Sequence, residues 1–304
     1  MTWPRLAALG ALLLVAPLVP GVAAKTKALL TGRRGMPLLQ LYWDLSKLLR
    51  KGAVYGTTAT WLFRAAPVAV VVTALSAATV VPLDGRHAVV SFTGDLVLFA
   101  GSLALGRFAL VLAGLDTGSS FEGMGASREV TFAAFVEPAL FLCFAALALA
   151  TGDLSLSGML GDPLAAAWPA SAPSLAMISV SLFLVLLAEG SRVPVDDPAT
   201  HLELTMIHEV VVLDHSGPDL ALILYGSALK LALFGALLVD VLAPRSPLPP
   251  AVAIGLLVLG LVVVGVLIGV VESMMARLRL SRVPQFLIAG SVLASLAVIL
   301  LFMA

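Results

Sequence analysis

Glu137, Glu189, Glu203, Glu209, Asp214 and Lys230 are ionisable residues lying in or beside long apolar runs, and their chemistry suits the movement of protons. An ionised side chain at the centre of a bilayer costs about 2.5–3.5 kcal/mol on insertion scales, so each must be paired, hydrated or neutralised. Desolvation raises carboxylate pKa values and lowers that of an ammonium, which brings both toward working pH and lets hydrated groups exchange protons. Glu137 directly precedes Pro138, whose missing N–H frees a carbonyl in the preceding turn. Structural ion pairs are the competing reading. For Lys230 a salt bridge to a nearby carboxylate stands level with a relay role. Arg107 reads as a structural ion pair, and Asp240, ten residues after Lys230, as interfacial.

His201, His208 and His215 recur every seven residues, which on one continuous helix would stack them on one face. Consecutive members would then lie about 10.5 Å apart, too far to share one metal ion. His208-Glu209 is followed by three valines, so the H-E-x-x-H zinc pattern fails. The apolar spans offer no axial histidines for haem. Proton relay and polar packing both remain open for these rings. Cys143 is the one cysteine and lies in an apolar run, which excludes a disulfide framework and a thiolate-ligated metal or iron–sulfur site within this chain.

The elements that must hold these residues are membrane helices. Of 304 residues, 60% are hydrophobic and 12% charged, with a mean hydropathy of +1.07. A soluble domain carries about 25% charge, and no water-soluble fold could cover so much apolar surface. Runs of roughly 20 apolar residues, enough to cross a hydrocarbon core of about 30 Å, occur near 4–24, 65–83, 95–114, 130–150, 172–189, 219–243, 251–271 and 284–303. The expected fold is therefore an all-α membrane protein of about eight transmembrane helices, a single domain over 1–304. Most basic residues fall in 25–64, at Arg128 and Arg192, and at Arg277, Arg279 and Arg282. Only Arg5, Arg86 and Arg245 fall on the other face. The basic face is expected to be cytoplasmic, in an inner membrane, with both termini outside. Met1 to Ala24 has the outline of a cleavable signal peptide. Cleavage would strand the basic segment outside, so a retained first span is expected.

Three segments break the plain bundle. In 36–52, Leu38, Leu41, Tyr42, Leu45, Leu48 and Leu49 recur at helical spacing opposite Gln40, Asp44, Lys47 and Lys51. That predicts an amphipathic helix on the membrane surface. Segment 114–129 holds Gly114, Gly118, Gly123 and Gly125 and reads as a cytoplasmic-side loop. No Gly-Lys-Ser/Thr follows, so a phosphate loop is not supported. Segment 190–218 is a second such loop, in which Asp197-Pro198 opens a polar helix that is too hydrophilic to face lipid. The net charge of zero gives no sign of a nucleic-acid partner. No internal repeat is evident, which weighs against a stand-alone ion transporter.

The runs GRRGMPLLQLYWDLSKLLRKG (32–52), ASREVTFAAFVEPALF (126–141) and AEGSRVPVDDPATHLELTMIHEVVVLDHSG (188–217) resemble the membrane subunit shared by respiratory complex I and the group 4 membrane-bound NiFe hydrogenases. The resemblance is nearest to the formate hydrogenlyase subunit 4, or hydrogenase-4 component C, branch. In the quinone-reducing branch the third run typically begins AE-x-x-R-x-P-F-D-L-P-E-A-E-x-E-L. Ala188, Glu189, Arg192, Pro194, Asp196, Pro198, Glu203 and Leu204 match it, whereas Val195, Asp197, Ala199 and His201 depart. Arg128 and Glu137 reproduce a family spacing of nine. The departures favour the hydrogenase branch over a quinone-binding complex I subunit, which is the alternative.

The resemblance implies that Glu137, Glu189 and Glu203 belong to an acidic channel, with a weaker carry-over for Asp214; Glu209 and Lys230 are candidates from their place in the sequence alone. Arg128, Arg192, Asp196, His201 and His208 would serve docking or coupling on the cytoplasmic-side loops. It implies a redox-inactive subunit with no cofactor of its own. The NiFe centre and iron–sulfur clusters would lie in partners: hydrogenase large and small subunits and iron–sulfur subunits, beside antiporter-like membrane subunits in the lipid bilayer. A pure scaffold is the remaining reading.

Overall fold

The computed structural model describes residues 3–196, 206–245 and 248–303. It is all helical among these residues: α1 Trp3–Val15, α2 Leu18–Leu30, α3 Gln40–Leu49, α4 Trp61–Val80, α5 Asp95–Asp116, α6 Ser120–Thr151, α7 Leu156–Met159, α8 Asp162–Glu189, α9 His208–Val211, α10 Gly217–Leu242, α11 Pro250–Met274 and α12 Val283–Met303. Seven of these are long and apolar enough to cross a membrane, and the bent pair α1–α2 brings the number to eight. That agrees with the hydropathy reading.

The first crossing is longer than expected and broken, with a bend of 43° between α1 and α2. Pro17 has no N–H to give the carbonyl of Leu13, so the helix opens there. Two tyrosines satisfy the opened turn. Tyr225 of α10 donates to the Leu13 carbonyl at 3.1 Å, and Tyr42 of α3 donates to that of Leu14. The surface helix is thereby tied to the break. Residues Leu41, Tyr42, Leu45 and Leu48 turn toward the bundle while Lys47 stays exposed, as the amphipathic pattern requires. Gly21 lets this segment approach: a Cβ there would meet the Leu38 carbonyl oxygen at 2.2 Å.

Helix α10 is the axis of the bundle. From Ala228 to Val241 every residue except Lys230 is buried. Helices α11 and α12 instead turn Leu256, Val263, Leu267, Val292, Leu296 and Ile299 outward, the apolar face that lipid accepts.

The segment 114–129 is not a loop. Helix α5 runs to Asp116 and α6 begins at Ser120, so only a tight turn separates them. At 32 residues α6 is about 48 Å long, well beyond a hydrocarbon thickness of about 30 Å, and its polar first turns project past the membrane. The glycines there make a seat. A Cβ on Gly125 would come within 2.9 Å of the Val211 side chain, and one on Gly114 within 3.2 Å, so Val211 packs into a groove between α5 and α6.

The expected polar helix opens outside the described residues. Residues 197–205, including His201 and Glu203, lie outside the described residues, and beyond them only the single turn α9 is helical. His208 and His215 therefore do not share a helix face. The chain after Val211 is pulled out of helical geometry by Val211 in its seat and by Glu122, whose carboxylate accepts the Asp214 N–H at 3.0 Å.

At the end opposite the basic segments, Asp240 and Arg245 form a buried pair at 2.5 Å, each side chain 1% exposed. Arg245 also donates to the carbonyls of Leu83 and Ala253, both at 2.9 Å. Asp240 is thus buried within the bundle near the end of α10. The connections before α5 and α11 fold over it and close that corner.

Candidate functional site

Four helices converge on one ionic cluster. Helix α5 contributes Arg107, α6 contributes Glu129 and Glu137, α8 ends on Glu189, and α10 contributes Lys230. Glu129 and Glu137 are eight residues apart and so face the same side of α6. The Arg107 fork reaches all three carboxylates. Its Nη2 donates to Glu189, its Nη1 to Glu137 at 2.7 Å, and its Nε lies 3.6 Å from Glu129. Lys230 Nζ donates to the second oxygen of Glu189 at 3.2 Å. Glu189 is therefore held between two cations, and three carboxylates face two positive charges. A lysine could not make the Arg107 contacts, because only guanidinium presents several donors in a fixed plane.

Burial is graded across the cluster. The Glu189 side chain is 6% exposed, whereas that of Glu137 is 42% exposed. Its position inside an apolar run predicts burial for Glu137, and the structure shows it only half-buried. It lies at the side of the bundle, bonded to Arg107 and lining a cavity with Glu189 and Phe234. Losing one partner of a buried pair costs about 3–5 kcal/mol, since the other charge is left uncompensated.

A second layer lies toward the basic face. Asp196 Oδ2 accepts the N–H groups of Ile207 and His208 at 3.2 and 3.1 Å, and Oδ1 pairs with Arg277 at 2.9 Å. Glu272 sits 3.6 Å from both Arg192 and Lys27. Arg128 donates to the Met206 carbonyl at 2.9 Å. These residues pin 206–211 onto the helix ends. His208 Nε2 meets Ser227 Oγ at 3.1 Å, and burial pulls its pKa below the usual histidine value. His215 packs against the Phe63 ring with centroids 3.9 Å apart, and burial lowers its pKa to about 4. Both are neutral imidazoles at neutral pH.

Small cavities link the two layers. One of about 30 Å³ joins Arg107, Glu129 and Glu189 to Ser191, Asp196 and Ile207. Another of the same size joins Arg107, Glu129 and Lys230 to His208 and Ser227. Each has room for a water or two, since a site needs roughly 10–15 Å³ to hold one. A third, of about 180 Å³, opens toward Leu41 of the surface helix and shares Ser191, Asp196, His208 and Ser227 with them. A fourth, of about 200 Å³, leads from Arg107, Glu137 and Glu189 to Val97, Gly101 and Phe141 on the side of the bundle. Shared linings make a series of cavities, mostly apolar in wall with ionisable side chains at intervals, from the basic face to the edge of the bundle at Glu137.

Glu137, Glu189 and Lys230 thus meet. Glu209 lines the 180 Å³ cavity rather than the cluster, and Asp214 lies exposed at the surface. Arg107 is the hub, and Glu129, Glu122 and Glu272 are buried or nearly buried carboxylates that hydropathy alone does not single out. The i, i+8 spacing of Glu129 and Glu137 is the signal that could have found the first of them. Among the described residues no group of three or more His, Cys, Asp or Glu could hold a metal ion.

The family model described as NADH dehydrogenase matches residues 5–303. Formate hydrogenlyase subunit 4 of Escherichia coli (strain K12) is 34% identical over 303 residues, covering 95% of this chain and 95% of that protein. Hydrogenase-4 component C of the same organism is 32% identical over 292 residues, covering 94% and 91%. A subunit of the NADH-quinone oxidoreductase of Rubrobacter xylanophilus is 30% identical over 207 residues, covering 67% and 61%. A chain in the structure of the membrane-bound sulfane sulfur reductase, an archaeal respiratory membrane complex, superposes with a TM-score of 0.81 over 98% of each chain. At 17% identity that likeness speaks for the fold.

Proposed function

Because this chain belongs to the NADH dehydrogenase family of membrane subunits, we propose that it is the coupling subunit of a hydrogenase-4 or formate hydrogenlyase-like complex in the cytoplasmic membrane. It carries no redox centre of its own. Its basic face docks the cytoplasmic NiFe and iron–sulfur subunits, and its ionic cluster passes charge changes to antiporter-like membrane neighbours. The near full-length similarity to the two hydrogenase-type proteins supports this branch over the shorter match to the quinone oxidoreductase subunit.

One observation carries the coupling role: Glu189 is shared by Arg107 and Lys230 at the meeting point of cavities that run from the basic face to Glu137. Reduction chemistry at the docked face changes the local charge. The carboxylate excess in the cluster answers by taking up or releasing a proton, through water in the 30 Å³ cavities. Glu137, the outward member, delivers that change to the adjoining subunit.

The quinone-binding alternative has one supporting feature, the 180 Å³ cavity under the surface helix. Pockets for small organic ligands run about 300–1,000 Å³, so this one is too small as it stands. Glu137→Gln in the reconstituted complex tests the main reading. Ion movement should fall while electron transfer and assembly persist; unchanged ion movement in the assembled variant overturns it.

A further inference from the structure

On the side of the ionic cluster away from the basic face, three phenylalanines from three helices close together. Phe99 of α5, Phe144 of α6 and Phe234 of α10 are each 2% exposed or less. Phe99 meets Phe144 at 6.0 Å and Phe234 at 5.8 Å between centroids, both edge to face. The same three helices carry the cluster. Phe99 lies eight residues before Arg107, Phe144 seven after Glu137 and Phe234 four after Lys230. At about 1.5 Å per residue those offsets are about 12, 10.5 and 6 Å, all in the same direction along the bundle.

Beyond the rings α10 stays buried as far as Val241. Leu237 and Leu238 are buried, and Asp240 is bound by Arg245, whose remaining donors hold two backbone carbonyls. Of the four cavities around the cluster, the three nearer the basic face touch none of the rings. Phe234 backs the 200 Å³ cleft that leads sideways past Glu137. Edge-to-face rings fill space without offering a hydrogen bond, and water needs two or more polar partners to settle.

We propose that Phe99, Phe144 and Phe234 form a permeability seal that stops ions reaching the ionic cluster from crossing this chain to its far side. The cluster is then open toward the basic face and toward the bundle edge, and closed in the third direction. The seal keeps the coupling machinery from discharging the gradient it helps to build. It rests on the coupling reading only for the presence of water in the cluster.

The test is passive proton entry into liposomes holding the intact complex, under an imposed diffusion potential and with no electron donor. Phe234→Ser should raise entry severalfold, and Phe234→Leu, which keeps the layer apolar, should match the parent. An unchanged rate with serine overturns the seal, as does equal leakage from both variants, which reports a disturbed fold. Hydroxyl-radical footprinting of the unaltered complex gives the answer without a variant. His208 and Phe132 should be oxidised by cavity water while Phe99, Phe144 and Leu238 stay unmodified; oxidation at Phe99 or Leu238 overturns the seal. Because neither measurement involves turnover, a failed seal is distinguishable from a failed coupling role, which shows as normal coupling in Glu137→Gln.

Discussion

Arg107 and Glu189 are 82 residues apart in the chain and bonded to each other at the end of α8, with Lys230 on the other carboxylate oxygen. Every element of the site is arranged around that contact. Arg107→Gln leaves Glu189, Glu137 and Glu129 facing one lysine, and should lower stability by about 3–5 kcal/mol. Arg107→Lys keeps the charge but loses the fork, so its loss should be smaller. Thermal unfolding of the detergent-solubilised complex ranks the two. Equal losses would show that the fork, and not the charge alone, holds the cluster.

The far corner makes a matching case. Arg245→Leu strands the fully buried Asp240, and Asp240→Asn strands Arg245, so each single change should cost about 3–5 kcal/mol. The double variant Asp240→Asn, Arg245→Leu should cost less than the two singles added together, because neither charge remains to be compensated. Folding yield and melting temperature of the three variants give the coupling energy.

The seat for Val211 predicts a steric effect. Gly125→Ala puts a methyl 2.9 Å from the Val211 side chain and 3.0 Å from its backbone nitrogen. Overpacking of this kind costs about 1–3 kcal/mol. Segment 206–217 should become sensitive to added protease. Val211→Ala relieves only the side-chain contact, so it should restore part of the protection.

His215 supplies a pH dependence. Its folded pKa is about 4, below the unfolded value of about 6.5. Above that unfolded value neither state holds the proton, and no stability is lost. As pH falls from about 6.5 to 4 the unfolded chain binds a proton that the folded chain refuses. Stability then drops by up to about 1.4 kcal/mol per unit. His215→Phe should flatten that part of the stability curve, as read by thermal melts between pH 7 and 4.

How far the sequence could be read follows from what hydropathy records. It finds Glu137, Glu189 and Lys230 because each interrupts or ends an apolar run, and it counts eight crossings because lipid imposes the length. Pairing across helices leaves no periodic trace. Arg107 therefore reads as half of an ion pair whose partners, 30 and 82 residues away, the sequence does not point out. Segment 114–129 looks like a loop because it is polar and rich in glycine. Its glycines serve Val211, and its polar turns extend beyond the membrane. The heptad of histidines implies a continuous helix, and between His208 and His215 the helix ends at Val211, where the chain is held by its seat and by Glu122. Arg245 looks like a surface charge because nothing local shows that two connections fold over it.

Under the proposed coupling role, Glu189 carries proton movement as well as cohesion. Glu189→Gln keeps the shape and one acceptor oxygen and loses the acceptor for the second cation. Glu137 and Glu129 still offset Arg107, so the complex should be less stable yet assemble and move electrons at a rate near that of the parent. The deciding quantity is the number of protons moved per electron in liposomes containing the complex, with acidification and electron transfer recorded together. That ratio should fall near zero in Glu189→Gln with electron transfer retained. A parental ratio in the assembled variant would rule the coupling role of Glu189 out.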